Sequence, residues 1–284
     1  MKIIELPREG MQSSPFIIPT RKKIEYINLL LKAGFHTVEM GSMASPKFVP
    51  QVADTVDVIR NLDLTGSKSK LMVLVLNTRG AEILSGLEQV DCISYPYSIS
   101  PVFLKKNLNA TQEKSFEDVR AIVEICRETK KEAVIYLSMT FGNPYGDEWS
   151  MDILRKHIGK LADAGAKVIP LSNVSVRIDE KMVRDVFIDV QKAFPDLEFG
   201  LHLHTDGKNQ GALIDAALET GITRFDSVLH GLGGCPMTGG RMLGNLDTTY
   251  LLHHLEQKKI NTNIDEQIFK RAGQMATKVF LPSE

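Results

Sequence analysis

Short apolar segments alternate with longer amphipathic segments along the whole chain. Ile24, Ile27 and Leu31 share one face of a helix, because their spacing follows the helical period, and Gly34 supplies a stop signal after them. The run 73–76 is instead continuously apolar and rich in valine, which is typical of a strand covered on both faces. The pattern therefore predicts buried strands separated by amphipathic helices.

This alternation recurs along the chain as eight strand–helix units. The predicted strands are 2–5, 37–41, 70–76, 91–97, 132–140, 167–172, 198–204 and 224–230, and the predicted helices are 20–33, 50–61, 78–86, 114–129, 150–164, 178–193, 209–220 and 247–256. Eight such units favour a closed (β/α)₈ TIM barrel over a doubly wound sheet. Since no linker or low-complexity tract divides the chain, we expect a single TIM-barrel domain over 1–284, with an additional C-terminal helix at about 264–279 outside the barrel.

Composition and charge exclude several classes of protein. Hydrophobic residues make up 43% and charged residues 24%, as in soluble globular proteins. The formal net charge of −1 provides no field for nucleic acid or an anionic membrane, and no apolar run approaches the ~18 residues of a membrane span. Cys92, Cys126 and Cys235 are widely separated and odd in number, so we expect no disulfide framework and a reducing, cytoplasmic location.

Two histidines separated by one residue end the seventh predicted strand. In an extended strand residues i and i+2 point to the same face, so His202 and His204 can offer two nitrogen ligands to one divalent metal. The alternative is a pair of histidines half-buried against a neighbouring helix. The barrel favours the first interpretation, because active sites of this fold form at the carboxyl ends of the strands. Other polar residues fall at those ends or in the loops that follow: Arg8, Glu9, Glu39, Asn173, Cys235 and Asn245.

The chemistry of this set suits a divalent cation. Two imidazoles, a carboxylate and an amide oxygen can bind Mg²⁺ or Mn²⁺, and they would also accept Zn²⁺. The glycine-rich segment 231–236 adds a lone cysteine, Cys235, beside the same mouth of the predicted barrel. The sequence thus predicts a metal site next to a thiol.

Six short segments of the chain match motifs of one known family: 7–12, 45–51, 141–145, 202–204, 231–236 and 244–246. On these segments the chain resembles the 3-hydroxy-3-methylglutaryl-CoA lyases, members of the DRE-TIM metallolyase superfamily. They span nearly the whole chain and keep the family's order, which makes the resemblance specific where the His-x-His pair alone would be weak.

The resemblance implies an activity and a set of metal ligands. The reaction is a retro-Claisen cleavage of an acyl-CoA, 3-hydroxy-3-methylglutaryl-CoA, into acetyl-CoA and acetoacetate. Matched position by position, the ligands of the divalent metal are Glu9, His202, His204 and Asn245. A homodimer is also expected, since dimers are common among such barrels.

The resemblance also implies catalytic roles. Arg8 would stabilise negative charge on the thioester oxygen, and Glu39 would orient Arg8. Cys235 would donate a proton to the carbanion carbon, while His202 counts among the catalytic residues as a metal ligand. Lys47 would contact the CoA side of the substrate, or it is a solvated lysine at a helix start.

The chain departs from the family pattern at several positions. Glu9 stands where the family has aspartate, and Asn173, a candidate for substrate binding, replaces another aspartate. Thr249 stands where glutamate is common, and the first motif is one residue shorter, so the match of Glu5 to a family glutamate stays open. We expect these changes to weaken the metal site, and restoring both aspartates to tighten it.

Two alternatives to this lyase remain open at the sequence level. One is a related metal-dependent lyase or aldolase that acts on another 3-hydroxyacyl-CoA or hydroxy acid. The other is a barrel that has lost activity and serves for binding. A synthase of the same superfamily is disfavoured, because no long C-terminal regulatory region is seen.

Overall fold

The computed structural model describes residues 1–174, 177–234 and 243–280. A closed barrel of parallel strands forms its centre, and each strand pairs with the next barrel strand until the last returns to the first. The strands in barrel order are β1 (Lys2–Glu5), β2 (Thr37–Ser42), β3 (Lys70–Leu74), β4 (Cys92–Ser98), β5 (Glu132–Ser138), β6 (Val168–Ser172), β7 (Glu198–His202) and β9 (Arg224–Ser227). Two further short strands, β8 (His204–Thr205) and β10 (Gly244–Asn245), pair antiparallel beside the barrel. The predicted TIM barrel is confirmed.

Helices surround the barrel. They are α1 (Pro7–Gln12), α2 (Thr20–Ala33), α3 (Thr55–Arg60), α4 (Thr78–Ser85), α5 (Pro101–Leu108), α6 (Gln112–Glu128), α7 (Met151–Asp163), α8 (Glu180–Ala193), α9 (Gln210–Glu219), α10 (Thr248–Gln257) and α11 (Glu266–Phe280). In the described ranges, no helix combines the length and the apolar character that crossing a membrane requires.

The helices differ from the sequence prediction in a few places. The predicted helix 50–61 is split into a 3₁₀ turn at Pro50–Val52 and the short α3. The pattern did not predict α1 and α5, which are too short to show a clear apolar period and begin at prolines. The predicted C-terminal helix is confirmed, and Phe280 at its end meets the ring of Tyr26 on α2 edge-on, with centroids 6.0 Å apart.

The barrel interior combines an apolar layer with buried charge. Ile4, Met72 and Val134 belong to a buried cluster contributed by several strands. Arg224 on β9 lies inside the barrel at 1% exposure, with its Nη1 3.5 Å from Glu198 Oε1 on β7. A buried guanidinium is costly unless it is paired, so its presence indicates that the interior is built to hold charge.

Gly200 on β7 makes the room that Arg224 needs. β7 and β9 are neighbours in the barrel, and a Cβ added at Gly200 would lie 2.7 Å from Arg224 Cδ and 2.8 Å from its Cγ. The aliphatic part of the arginine therefore occupies the space above a glycine that carries no side chain.

We expect Gly200→Ala to lower the free energy of unfolding by about 1–3 kcal/mol, the usual cost of overpacking a core. The buried arginine cannot swing into solvent to relieve the clash. Gly273→Ala on α11 is the matched control, since a Cβ there meets nothing within 4 Å, and its higher helix propensity should stabilise the protein slightly. Urea denaturation of both variants measures the effect, and equal stability of the two would contradict the packing argument.

Candidate metal centre

Three side chains with metal-binding atoms converge at the carboxyl end of the barrel. His202 ends β7 and His204 begins β8, and their Nε2 atoms are 3.1 Å apart. Glu9 lies on α1 directly after β1, with its Oε1 3.8 Å from His202 Nε2. One ligand atom from each of the three lies within 4.8 Å of the others, the one group of this kind found in the described ranges. The structure thus brings together three of the four predicted metal ligands.

The local sequence explains how Glu9 reaches this position. Pro7 follows β1 at the first turn of α1, where a missing N–H costs nothing because that group has no partner inside the helix. The chain therefore passes from strand to helix with one intervening residue, and α1 carries Arg8 and Glu9 to the mouth of the barrel.

The protonation of Glu9 and His204 suits cation binding. Burial raises the pKa of Glu9, but Arg8 and the two histidines outweigh burial and lower this pKa to about 2. Burial and the neighbouring His202 lower the pKa of His204 to about 3, so its imidazole is neutral. Burial also lowers the pKa of His202, but the hydrogen bond with Asp226 and the charge of Glu9 raise it overall. At neutral pH the cluster therefore presents a carboxylate and a neutral His204.

A buried aspartate orients His202 from beneath. Asp226 on β9 is 2% exposed, and His202 Nδ1 donates to its Oδ2 over 3.1 Å. A carboxylate on the far ring nitrogen fixes the tautomer and leaves Nε2 as the ligand atom. Sequence reasoning missed Asp226. The signal was present, since Arg224 and Asp226 alternate in a predicted strand and therefore share its inner face.

Arg8 and Glu39 form an ion pair beside the cluster. Arg8 Nε donates to Glu39 Oε1 over 2.8 Å, and Arg8 Nη2 contacts the same oxygen. Ser94 on β4 donates to the second oxygen, Glu39 Oε2, over 2.8 Å. Glu39 is fully buried in β2, so the guanidinium is held on one edge by a carboxylate that cannot turn away. The two side chains that the family resemblance linked are thus in direct contact, and the orienting role of Glu39 stays a prediction.

The side chain of Asn173 makes two hydrogen bonds with the backbone of His204. Its Oδ1 accepts the His204 N–H and its Nδ2 donates to the His204 carbonyl, both over 2.8 Å. On the other side His204 pairs with Asn245 of β10, so its backbone is held from two directions. Sequence analysis named Asn173 a candidate for substrate binding, and in the structure its amide also holds the backbone of a predicted ligand.

The remaining predicted site residues lie at different distances from the cluster. Asn245 is adjacent to it, with its Nδ2 donating to the Leu232 carbonyl over 2.7 Å and its side chain hydrogen-bonded to Glu9. Lys47 is exposed on the loop after β2, where its Nζ lies 6.0 Å from the Phe48 ring. Cys235 lies outside the described residues.

Glu5 binds both ends of the segment 229–248, which contains the glycine loop and Asn245. Its Oε1 accepts the Leu229 N–H over 2.8 Å, and its Oε2 accepts the Thr248 hydroxyl over 2.5 Å. Burial raises the pKa of Glu5 to about 8, although the two hydrogen bonds oppose that rise. Sequence reasoning did not find this role, because the two contacts come from positions far along the chain.

The known proteins that this chain is similar to belong to one family. The HMGL-like family model matches residues 3–276. The hydroxymethylglutaryl-CoA lyase of Bacillus subtilis is 30% identical over 91% of this chain and 85% of its own length. The human mitochondrial hydroxymethylglutaryl-CoA lyase is 30% identical over 96% of this chain and 83% of its own length.

Solved structures agree with these sequence matches. The crystal structure of the Bacillus subtilis HMG-CoA lyase superimposes with a TM-score of 0.90 at 30% identity, covering 100% of this chain and 95% of the other. An Acinetobacter baumannii HMG-CoA lyase in complex with coenzyme A and 3-methylmalate gives a TM-score of 0.89 at 27% identity, covering 99% and 91%. The barrel, its rim of polar residues and these matches define a carbon–carbon lyase built on a TIM barrel. Within that class, the chain belongs to the HMGL-like family.

We expect Asp226→Asn to weaken Mn²⁺ binding about 10- to 100-fold, because partners of metal-binding histidines contribute that much to affinity. The amide can no longer act as a charged acceptor for His202 Nδ1–H. Asp118→Asn is the control, a carboxylate of 5% exposure on α6 that binds Thr78 and should affect stability alone. Calorimetric titration with Mn²⁺ gives the affinities, and wild-type affinity in Asp226→Asn would refute the orienting role.

The sequence led us to expect that aspartate at position 173 would tighten metal binding. The contacts of Asn173 with His204 lead to the opposite expectation. In Asn173→Asp, a carboxylate oxygen replaces the donor and faces the His204 carbonyl oxygen. We expect a loss of about 1–3 kcal/mol in the free energy of unfolding, the cost of unpaired buried groups, with weaker Mn²⁺ binding. Glu9→Asp leaves the Asn173 contacts intact and serves as the comparison. Tighter Mn²⁺ binding in Asn173→Asp would show that the contact with His204 is dispensable.

Proposed function

We propose that this protein cleaves 3-hydroxy-3-methylglutaryl-CoA into acetyl-CoA and acetoacetate. The observation that carries the proposal is the convergence of Glu9, His202 and His204 beside Arg8 at the carboxyl ends of the barrel strands. Membership of the HMGL-like family supports the same reaction.

The residues present fit a divalent metal, Mg²⁺ or Mn²⁺. Around the cluster, Glu9, Glu39 and Asp226 bring carboxylates, while Arg8 and Arg224 bring guanidinium groups. These charges lie next to two facing imidazole nitrogens, which a divalent cation could bind together with the Glu9 carboxylate. The Asn245 amide oxygen is proposed as the fourth ligand. When bound, the cation would polarise the hydroxyl and carboxylate of the substrate and lower the pKa of that hydroxyl.

Arg8 is placed to stabilise the charge that develops on the thioester oxygen. Its Nε and Nη2 are held by Glu39, and Nη2 also lies 3.2 Å from Glu9 Oε1. Among the described residues its Nη1 makes one long contact, 3.4 Å to Gln12 Oε1. That edge of the guanidinium is therefore available to a developing oxyanion, and it is already oriented before the substrate binds.

The proposed reaction balances without a further reactant. The tertiary hydroxyl loses its proton, the bond between C2 and C3 breaks, and C3 becomes the ketone of acetoacetate. The electron pair of that bond stays with C2, which takes a proton from Cys235 to give the methyl group of acetyl-CoA. The hydroxyl proton restores the thiol.

A related substrate is the second candidate. Glu9 and Asn173 occupy positions where the lyases that this chain resembles carry aspartate, and Asn173 is engaged with the His204 backbone. These two differences favour another 3-hydroxyacyl-CoA as the second candidate substrate. The homodimer and the cytoplasmic location stay predictions of the sequence.

A coupled assay for acetyl-CoA release, with and without Mn²⁺ or Mg²⁺, tests the proposed function. We expect metal-dependent release from 3-hydroxy-3-methylglutaryl-CoA and a loss of about 10²–10⁴ in kcat for Cys235→Ala, the range of a general acid. Cys126→Ala on α6 is the control and should keep its turnover, since that buried thiol lies among the helices. No release with either metal would refute the activity, and wild-type turnover in Cys235→Ala would refute the role of the thiol.

A further inference from the structure

Three buried side chains inside the barrel carry polar atoms that have no hydrogen-bond partner among the described residues. The atoms are Nε and Nη2 of Arg224, Oδ1 of Asp226 and the hydroxyl of Tyr136. All three side chains are more than nine-tenths buried. Because a buried donor or acceptor without a partner is costly, four such atoms on three neighbouring side chains call for an explanation.

The two unpartnered nitrogens of Arg224 belong to one edge of its guanidinium. In this planar group the Nε–H and one N–H of Nη2 lie side by side and point the same way. Nε is 3.9 Å from Asp226 Oδ1, which also lacks a partner in the described part of the chain. That separation is too long for a direct hydrogen bond, but one small molecule about 2.9 Å from each atom can contact both.

The packing of Arg224 fixes the place of this edge. Its Cγ and Cδ lie over Gly200, at 2.8 Å and 2.7 Å from where a Cβ would be. Its Nη1 lies 3.5 Å from Glu198 Oε1 on the same strand, β7. Since the side chain is held along its length and at one end of the guanidinium, the edge with Nε keeps its position beside Asp226.

Tyr136 on β5 brings a third group to the same place. Its ring meets the ring of His202 edge-on, with centroids 5.3 Å apart, and His202 is hydrogen-bonded to Asp226. Burial raises the pKa of the Tyr136 hydroxyl and Asp226 raises it further, whereas Arg224 opposes the rise. The hydroxyl therefore lies close to both charged side chains and keeps a proton that it can donate.

The mixture of charges identifies the kind of molecule that these atoms can share. A small anion would pair with Arg224 but would be repelled by the Asp226 carboxylate, and a cation would meet the reverse conflict. A water molecule meets neither, because it both accepts and donates. It can accept from the guanidinium edge and donate to Asp226 Oδ1, with the Tyr136 hydroxyl as its third partner. Three partners are typical of a buried water.

We propose that one internal water molecule joins Arg224, Asp226 and Tyr136 and holds Asp226 Oδ1 in place. The other oxygen of this carboxylate accepts the hydrogen bond from His202 Nδ1. Arg224 and Tyr136 are then positioning residues for the metal centre, because they restrain the carboxylate that orients a predicted ligand. The water site is independent of the proposed lyase function, whereas its effect on metal binding rests on that function.

A crystal structure of the full chain tests the site directly. Crystals grown with bromide distinguish a water from an anion, because bromide gives an anomalous signal. We expect one density peak within hydrogen-bonding distance of Arg224, Asp226 and Tyr136, without anomalous signal. An anomalous peak there, a direct hydrogen bond between Arg224 and Asp226, or no peak at all would overturn the proposal.

Tyr136→Phe distinguishes a hydroxyl that binds water from one that is simply unpaired. Removing an unpaired buried hydroxyl relieves its desolvation cost and would raise the urea midpoint of unfolding, whereas removing a partner of the water lowers it. We expect a lower midpoint. Tyr97→Phe on β4 is the matched control, a buried tyrosine whose hydroxyl is 2.9 Å from His157 Nδ1, and it should also lower the midpoint. A higher midpoint in Tyr136→Phe would contradict the site.

Titration of the same variants with Mn²⁺ tests the link to the metal centre. We expect Tyr136→Phe to weaken Mn²⁺ binding about threefold, because Asp226 loses one restraint but keeps its charge. Tyr97→Phe should bind Mn²⁺ as the wild type does. A purely structural role would lower both urea midpoints and leave both affinities unchanged, so wild-type affinity in Tyr136→Phe would refute the positioning role.

Arg224→Lys separates the charge of the arginine from the geometry of its edge. Lysine keeps the positive charge but replaces the two parallel N–H groups by one ammonium. We expect weaker Mn²⁺ binding, by a factor similar to that for Tyr136→Phe, and unchanged affinity would refute the role of the edge. If the wild type binds no Mn²⁺, the proposed metal-dependent function fails, while the density peak and the urea midpoints still decide the water site.

Discussion

Several charged side chains lie almost fully buried inside this barrel, so each depends on a neighbour of opposite charge. These groups form a continuous series of neighbours. Arg224 lies next to Asp226, which is hydrogen-bonded to His202. His202 lies next to Glu9, and Arg8 contacts both Glu9 and Glu39. Removing one member of such a series leaves its neighbour buried and unpaired, which costs more than the pair itself contributes. The position of each group therefore depends on the others, and the arrangement at the rim reflects charges set deeper in the barrel.

Hydrogen bonds to the backbone also help to position the residues at the rim of the barrel. His204 lies just beyond the end of β7, and its ring is positioned because Asn173 binds its peptide groups on one side while β10 pairs with it on the other. Glu5 secures both approaches to β10 through Leu229 and Thr248. Buried side chains thus fix the backbone at both ends of the connection between β9 and α10, and this fixes the position of β10 at the rim.

Local periodicity was enough to predict much of this structure. The barrel, the C-terminal helix and the proximity of Glu9, His202 and His204 follow from alternating patterns and from the rule that strand ends share one rim. The alternation of Arg224 and Asp226 indicated a shared inner face, but the contacts of Asp226 with His202 and of Asn173 with His204 depend on distances across the barrel, which the sequence does not give. The short helices α1 and α5 escaped prediction for a different reason, since neither shows a clear apolar period.

The fit between Gly200 and Arg224 also limits the order in which such a pair can arise. An arginine placed first at position 224 would clash with any side chain at position 200, because even a Cβ there lies within 2.8 Å of the arginine. A glycine placed first leaves only a small void, which a barrel tolerates at a modest cost in stability. The accessible path therefore runs through the glycine, and once the arginine is in place any exchange of the glycine lowers the stability of the barrel. The glycine and the arginine are therefore easier to acquire in this order than to lose in isolation.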